Sequence, residues 1–223
     1  MKKRAQRNAI HGTYIPAWTY DSNTQSAYTG ERGEHYYETE TYTETENGQS
    51  VTKTREVQRT RWWPASGTVR NQFNDLLVMA SLSLPQKLLT HLQPWDLPNL
   101  VPFADGYLTG FIAESYQVNL PQGFDTAKHM MEGPIRSTIA SDIGGDEQRI
   151  SSVNTQYFNI RFRHLLLPVW ISAYRYQEKV YRFLVNARTG EVRGERPYSW
   201  MKITILVLVI LMVVIGLIAF SQR

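Results

Sequence analysis

Three carboxylates stand close together around a pair of glycines, in the stretch Asp142-Ile143-Gly144-Gly145-Asp146-Glu147. Divalent cations prefer several oxygen ligands, so Asp142, Asp146 and Glu147 could together hold a metal ion for hydrolysis. However, their spacing matches no calcium-binding loop, and acidic residues are common near the ends of helices. The sequence therefore favours a structural role for this cluster, and we predict neither a bound metal nor a cofactor.

The other residue types that carry out catalysis form no recognisable set. Cysteine is absent from the sequence, which excludes a cysteine nucleophile and cysteine-ligated zinc within it. No serine lies in a Gly-x-Ser-x-Gly elbow, and neither a phosphate-binding loop nor a dinucleotide-binding glycine motif occurs. Five scattered histidines lack the spacing of metal ligands: His11, His35, His91, His129 and His164. We therefore predict that the protein is not an enzyme.

A basic and aromatic stretch is the one feature that suggests nucleic acid. Arg55, Arg59 and Arg61 precede Trp62 and Trp63, and such residues can bind a single strand through charge and stacking. The net charge of +4 is too small for the field of a dedicated nucleic-acid binder. Nucleic-acid binding through residues 53–63 is therefore the alternative function.

The same arginines belong to a predicted β-hairpin over residues 34–61. Asn47-Gly48 is typical of a two-residue type I′ turn, which fixes the register so that paired residue numbers sum to 95. Glu34 then faces Arg61 and Glu40 faces Arg55, while threonines line the opposite face. Neither face is apolar enough to be buried, so the hairpin is either a recognition arm or simply a solvated, charge-matched pair of strands. The candidate partner-binding residues are Glu34, Glu40, Arg55, Arg59, Arg61, Trp62 and Trp63.

The predicted elements indicate an α+β fold with three parts. Residues 1–120 are rich in strand-forming residues and contain the hairpin. Residues 121–200 combine a helix over Gln122–Asp142 with several C-terminal strands, so we expect the helix to pack on that antiparallel sheet. Its apolar residues recur every three or four positions, and Gly133-Pro134 predicts a kink or break. The apolar stripe comprises Phe124, Ala127, Met131, Ile135, Ile139 and Ile143.

Residues 203–220 predict a transmembrane helix. The run from Ile203 to Phe220 carries no charge and is long enough, as a helix, to span about 27 Å of hydrocarbon. Basic residues are concentrated on its N-terminal side, which by the positive-inside rule keeps residues 1–200 in the cytoplasm. We therefore expect a single-pass protein of the bacterial inner membrane that contacts the lipid bilayer through residues 203–220.

Five stretches together resemble a bacterial family: Tyr14–Tyr37, Thr60–Val69, Asp142–Ile150, Arg163–Tyr176 and Val185–Ser199. The family is that of TFIIB-type zinc-ribbon-containing membrane proteins, whose members often carry the label primosomal protein N′, a replication-restart helicase. The resemblance implies a membrane context rather than an established activity. The last stretch is also similar to the end of PepSY-type domains.

The sequence departs from this family in one respect. The paired cysteines of the zinc ribbon are missing, so zinc cannot be carried over, and without a phosphate loop the helicase label is unsupported. We expect that the chain begins midway through the family's length, either as a truncated reading frame or as a branch without the ribbon. The function predicted first is thus a membrane-anchored cytoplasmic adaptor that binds another protein. The alternative is a nucleic-acid-associated membrane protein that assists replication or repair.

Overall fold

Three very long β-strands account for most of the regular structure. The computed structural model describes residues 6–7, 9–46, 49–176, 178–196 and 200–221. The strands are β1 (Gln6–Arg7), β2 (His11–Glu46), β3 (Gln49–Met79), β4 (Ile112–Ala113), β5 (Glu147–Tyr176), β6 (Lys179–Asn186) and β7 (Val192–Gly194). The helices are α1 (Gln86–Thr90), α2 (Leu120–Ile143) and α3 (Trp200–Ser221), with short 3₁₀ turns at Leu97–Asn99 and Asp105–Leu108.

The contacts divide the chain into two units. Unit 1 takes residues 1–15, 83–114 and 167–223, and unit 2 takes residues 16–82 and 115–166. Strands β2 and β5 therefore contribute residues to both units. The boundaries expected at residues 120 and 200 stay a prediction about domain organisation.

Unit 2 consists of a sheet covered on one face by α2. Its strands lie in the order β3-β2-β5, and β2 and β3 are antiparallel. Alternate residues of the two strands point towards the helix, as the two-residue period of a strand requires. The buried cluster is formed by Trp18, Tyr20, Tyr28, Val69, Phe73, Val78 and Ala80 with Ala127, Met131, Ile135, Ile139 and Ile143 of α2.

Part of the strand surface beneath α2 is polar. Ser22, Thr24 and Ser26 are at most 2% exposed although each carries a hydroxyl group. Each hydroxyl has a hydrogen-bond partner: Ser26 Oγ lies 2.8 Å from Thr155 Oγ1, and Thr24 Oγ1 donates to the Asn71 carbonyl at 3.4 Å. The hydroxyl groups of these three residues therefore occupy core positions with their hydrogen bonds made.

Helix α2 has clear signals at both ends. Asn119 accepts a hydrogen bond from the Gln122 backbone N–H at 3.0 Å, and the Gln122 side chain accepts one from the Asn119 backbone N–H, which completes a capping box. Gly144 ends the helix with a φ of 65°, which glycine adopts without strain. The predicted apolar stripe is confirmed, but the helix runs through Pro134 without a break.

Unit 1 contains the C-terminal hairpins and the loop over residues 83–114. Strand β6 pairs with β5 on one side and with β7 on the other, all antiparallel. Asn186 is fully buried and donates hydrogen bonds to the carbonyls of Leu92 and Pro94 at 3.2 and 3.1 Å. Arg188 forms an ion pair with Asp96, and this hydrogen bond is the main reason that the pKa of Asp96 is lowered. These polar contacts hold the loop against the strands.

The expected α+β fold class, with the main helix on a C-terminal antiparallel sheet, is wrong. The protein is mostly antiparallel β-sheet: β2, β3 and β5 have 36, 31 and 30 residues, whereas α2 has 24. The helix packs mainly on the N-terminal strands β2 and β3, and Ile150, Val153 and Tyr157 of β5 pack against the same cluster. The buried positions of β2 include Ser22, Thr24 and Ser26. Because these residues are polar, the sequence of β2 lacks the alternation of apolar and polar residues that would predict a buried face.

The prediction of a membrane span is also corrected. A helix does form over Trp200–Ser221, but no helix within the described residues is long and apolar enough to cross a membrane. We therefore withdraw the expected span from Ile203 to Phe220, the single-pass inner-membrane location and the cytoplasmic placement that followed from it.

Candidate protein-interaction surface

The hairpin of β2 and β3 extends as an exposed two-stranded arm, which we define as residues 34–61. The predicted register is confirmed: Glu34 pairs with Arg61 and Glu40 with Arg55, and every described pair in the arm sums to 95. The Asn47-Gly48 turn lies outside the described residues. Throughout residues 34–45 and 49–61 no described residue is buried, so both faces of the arm are exposed to solvent.

One face of the arm carries all of its Lys and Arg residues together with glutamates of β2, and these charges are paired across the strands. Arg59 contacts Glu38 at 2.7 Å and Glu40 at 2.5 Å, and Arg55 contacts the other oxygen of Glu40 at 3.1 Å. Lys53 bonds to Glu44 at 2.9 Å. The hydrogen bond from Arg55 is the main cause of the lowered pKa of Glu40, followed by the contact with Arg59. The glutamates of β2 and the basic residues of β3 thus form one ladder.

The ion pairs run partly along diagonals rather than directly across the ladder. Glu34 bonds to Arg32 at 3.0 Å, whereas Arg61, its partner in register, lies over the ring of Tyr36 at 4.9 Å. Arg55 likewise lies over the ring of Tyr42 at 5.6 Å. Diagonal neighbours in a sheet are about 7–8 Å apart, within reach of long side chains. Cation–π contacts therefore join the ion pairs in ordering this face.

The opposite face of the arm is a hydroxyl surface. Thr41 pairs with Thr54 and Thr43 with Thr52, as the register predicts. Tyr37 belongs to the same face and is 68% exposed. The same face carries Glu56, which pairs with Thr39. The two faces of the arm therefore differ in chemistry, one with paired charges and one mainly hydroxylated.

The two tryptophans of the basic stretch lie on different faces, because they are neighbours in one strand. Trp63 is 51% exposed and shares the charged face with Arg61. Trp62 faces the other way and is covered by Arg149, whose guanidinium carbon lies 3.7 Å from the ring centroid. Gly33 lies against the same ring, where an added Cβ would come within 3.0 Å. Trp62 and Trp63 therefore do not form a common stacking platform.

The base of the arm is attached to β5 by a polar network that the sequence did not reveal. His35 Nε2 lies 2.7 Å from Glu147 Oε1, and Thr60 Oγ1 donates to the same oxygen at 2.9 Å. Gln58 Nε2 contacts His35 Nδ1 at 2.6 Å, and the His35 backbone N–H donates to Asp146 at 2.7 Å. The hydrogen bond with His35 is the main cause of the lowered pKa of Glu147.

The three carboxylates of the candidate metal cluster are all engaged in hydrogen bonds within the protein, and Asp142 has a different partner from Asp146 and Glu147. Asp142 accepts a hydrogen bond from the Tyr28 hydroxyl at 2.5 Å, whereas Asp146 and Glu147 bond to His35. In the described part of the chain no group of three or more His, Cys, Asp or Glu side chains is arranged to hold a metal ion. Each of the three carboxylates thus has a structural partner: Asp142 bonds to Tyr28, and Asp146 and Glu147 share His35.

His164, the histidine next to the apolar run of β5, packs among aromatic rings. Its ring centroid lies 4.6 Å from that of Trp18 and 5.7 Å from that of Tyr116. Desolvation lowers the pKa of His164, which favours the neutral ring in these surroundings. The contacts indicate a packing role for this histidine.

Comparison with known proteins gives one informative relative. Over 199 residues the chain is 29% identical to the uncharacterized protein YdjG of Bacillus subtilis (strain 168), an alignment that covers 87% of this chain and 54% of YdjG. The chain therefore spans about half the length of the curated relative that it matches. No protein-family model matches the sequence, and no solved structure matches it either. The resemblance to zinc-ribbon membrane proteins and to PepSY-type domains stays a prediction.

Proposed function

We propose that this chain is a non-catalytic protein-interaction module that presents the arm to another protein. The observation that carries the proposal is that no described residue of the arm is buried, combined with the ordered ladder of charges along one face. An arm whose side chains are already held by their neighbours loses little conformational freedom on binding. Such preorganisation favours specific recognition.

The anchoring of the arm supports the same proposal. The network around His35 and Glu147 joins the arm to the strand that follows α2. A partner that binds the arm therefore meets strands whose position is fixed at the base of the arm. The same bonds occupy the carboxylates of Asp146 and Glu147, which favours a structural use of this cluster over a hydrolytic one.

Nucleic-acid binding is the weaker candidate for the same surface. Arg55 and Arg59 lie on the face of β3 opposite to Trp62, so their charges and this ring cannot bind one strand together. Trp62 is already stacked under Arg149. A single strand would have to displace this contact before it gained its own, so we keep nucleic acid as an outcome of the test.

The test compares the full chain with a variant that lacks the arm. Residues 37–58 are replaced by Asn-Gly, because Tyr36 and Arg59 face each other in the native register and a type I′ turn can join them. The control variant is Arg136→Gln with Arg161→Gln, two exposed cations of unit 2 outside the arm. Circular dichroism melting establishes that both variants fold.

Each protein is crosslinked in cells and purified, with and without nuclease, and the co-purifying proteins are quantified by mass spectrometry. We expect a set of proteins that resists nuclease, is retained by the control variant and falls at least about tenfold when the arm is removed. Recovery that collapses with nuclease would establish the nucleic-acid alternative instead. Recovery that is independent of the arm would overturn the proposal.

A further inference from the structure

The outer edge of the arm is formed by β3. Among the described strands, β3 lies at the end of the sheet order and pairs with β2 alone. In an antiparallel ladder every second residue of an edge strand directs its backbone N–H and C=O away from its partner. From Gln49 to Trp63 the edge therefore offers a row of backbone groups to an added strand. Pro64, which has no N–H to donate, ends this row.

The basic charges along this edge share one face, and the acidic residue between Gln49 and Trp63, Glu56, lies on the other face. Lys53, Arg55, Arg59 and Arg61 occupy alternate positions of β3, so their side chains project from the same face of the arm. Arg55 and Arg59 are 62% and 47% exposed even while paired with glutamates of β2. A guanidinium carries five N–H donors, so each of the two arginines can donate to a further carboxylate on the outer side.

A second copy of the chain is a poor occupant for this edge. Pairing β3 with β3 about a two-fold axis brings the arginines of one copy against those of the other, which is destabilising. Pairing β2 with β2 brings glutamates such as Glu38 and Glu40 together in the same way. Pairing β3 of one copy with β2 of the next matches the charges. However, this arrangement leaves a free edge at each end, so it leads to open-ended assembly rather than to a closed dimer. The charge pattern thus selects against self-association and in favour of an acidic partner.

We infer that the outer edge of β3 between Gln49 and Trp63 binds an extended acidic segment of a partner protein as an added β-strand. The segment carries carboxylates at alternate residues, which face the basic positions of β3 just as the glutamates of β2 do from the other side. Small polar residues at the intervening positions face Thr52 and Thr54 on the hydroxyl face. This assignment rests on the proposed function and specifies the chemistry of the partner.

The inference is tested with the full chain and a synthetic peptide of about ten residues in which glutamate and threonine alternate. Binding is followed by fluorescence anisotropy at low salt. One control peptide replaces every glutamate with lysine, and a second keeps the glutamates but has N-methylated backbone amides at alternate positions. We expect the acidic peptide to bind at least about tenfold more tightly than either control, because both the charges and the edge hydrogen bonds are required.

Two protein variants locate the binding site. Arg55→Gln with Arg59→Gln removes two edge cations and is expected to weaken binding about threefold to tenfold, whereas Arg136→Gln with Arg161→Gln removes the same charge elsewhere and leaves binding unchanged. Hydrogen exchange of the complex should show protection of amides within residues 49–63. Equal binding of the N-methylated peptide would overturn strand addition, since charge alone would then suffice.

Separate outcomes distinguish this inference from the proposed function. If the arm-dependent proteins are captured in cells but the acidic peptide fails to bind, the edge assignment is overturned while the interaction function stands. If the peptide binds with the expected protection while capture is independent of the arm, the edge chemistry is supported and the proposed cellular use of the arm is overturned. A single-stranded oligonucleotide that competes for the same amides would overturn the choice of an acidic protein segment.

Discussion

His35 Nε2 lies 2.7 Å from Glu147 Oε1, although 112 residues separate the two in the chain. The contact joins the base of the arm to the first residue of β5. Thr60 donates to the same carboxylate oxygen from the opposite strand of the arm, so one carboxylate holds both strands. This relationship allows the arm to be exposed on both faces and yet held at its base.

The lowered pKa of Glu147 predicts a loosening of the arm base in acid. A carboxylate whose pKa is lower in the folded state contributes stability above its unfolded value of 4.5, and this contribution is lost as the pH falls below it. Amide exchange at residues 34–36 and 58–60 should therefore accelerate as the pH falls below 4.5, after correction for intrinsic rates. In Glu147→Gln the exchange should already be faster at neutral pH, by roughly threefold to tenfold. A wild-type profile retained by this variant would contradict the role of the contact.

Tyr28 should ionise late and stabilise the protein through Asp142. Its hydrogen bond to Asp142, together with burial, raises the pKa of Tyr28 to about 12, and burial raises that of Tyr20 to about 12. Because the folded-state pKa is raised, the stabilisation is complete below the unfolded value of 10 and is lost as the pH rises through 12. Burial raises the pKa of Tyr157 as well, so ultraviolet titration should show Tyr20, Tyr28 and Tyr157 ionising late among the 13 tyrosines of the chain.

The variant Tyr28→Phe isolates the hydrogen bond from the burial. We expect a loss of about 1 kcal/mol in the free energy of unfolding at neutral pH, measured by urea denaturation. The late-ionising signal should lose one tyrosine. Unchanged stability together with an unchanged late-ionising signal would show that the bond to Asp142 does not exist in solution.

Gly30 marks a point where β2 and β5 approach too closely for a side chain. A Cβ on Gly30 would lie 2.2 Å from the Arg149 carbonyl oxygen, a backbone atom that cannot move without shifting β5. Gly30→Ala should therefore destabilise the protein by about 2 kcal/mol or more. The matched control is Gly106→Ala, where nothing lies within 4 Å, and it should be nearly neutral in the same thermal melt. Equal effects of the two substitutions would contradict the close approach.

Two adjacent methionines of α2 test which face of the helix is buried. Met131 is fully buried in the cluster beneath the helix, whereas Met130 is 43% exposed. Met131→Ala should cost about 2–5 kcal/mol because it leaves a cavity, and Met130→Ala should change the free energy of unfolding by no more than about 0.5 kcal/mol. Urea denaturation of the pair measures the difference. A reversed order would place a different face of α2 against the sheet.

The register of the arm and the buried stripe of α2 were both determined by the sequence alone. Each depends on local rules: Asn47-Gly48 permits a two-residue turn, from which every pair follows, and helical periodicity identifies Met131 and Ile139 as buried. The capping residue Asn119 and the terminating Gly144 are likewise local signals. Short-range geometry is sufficient for such features.

Only the tertiary structure decided which strands α2 covers and how the arm is held. The strand face beneath α2 includes Ser22, Thr24 and Ser26, whose hydroxyls are satisfied by partners far along the chain, so nothing in their polarity marks them as buried. The bond between His35 and Glu147 likewise requires β2 and β5 to be brought side by side. Contacts of this kind arise from the summed free energy of packing across the whole fold, which no local pattern encodes.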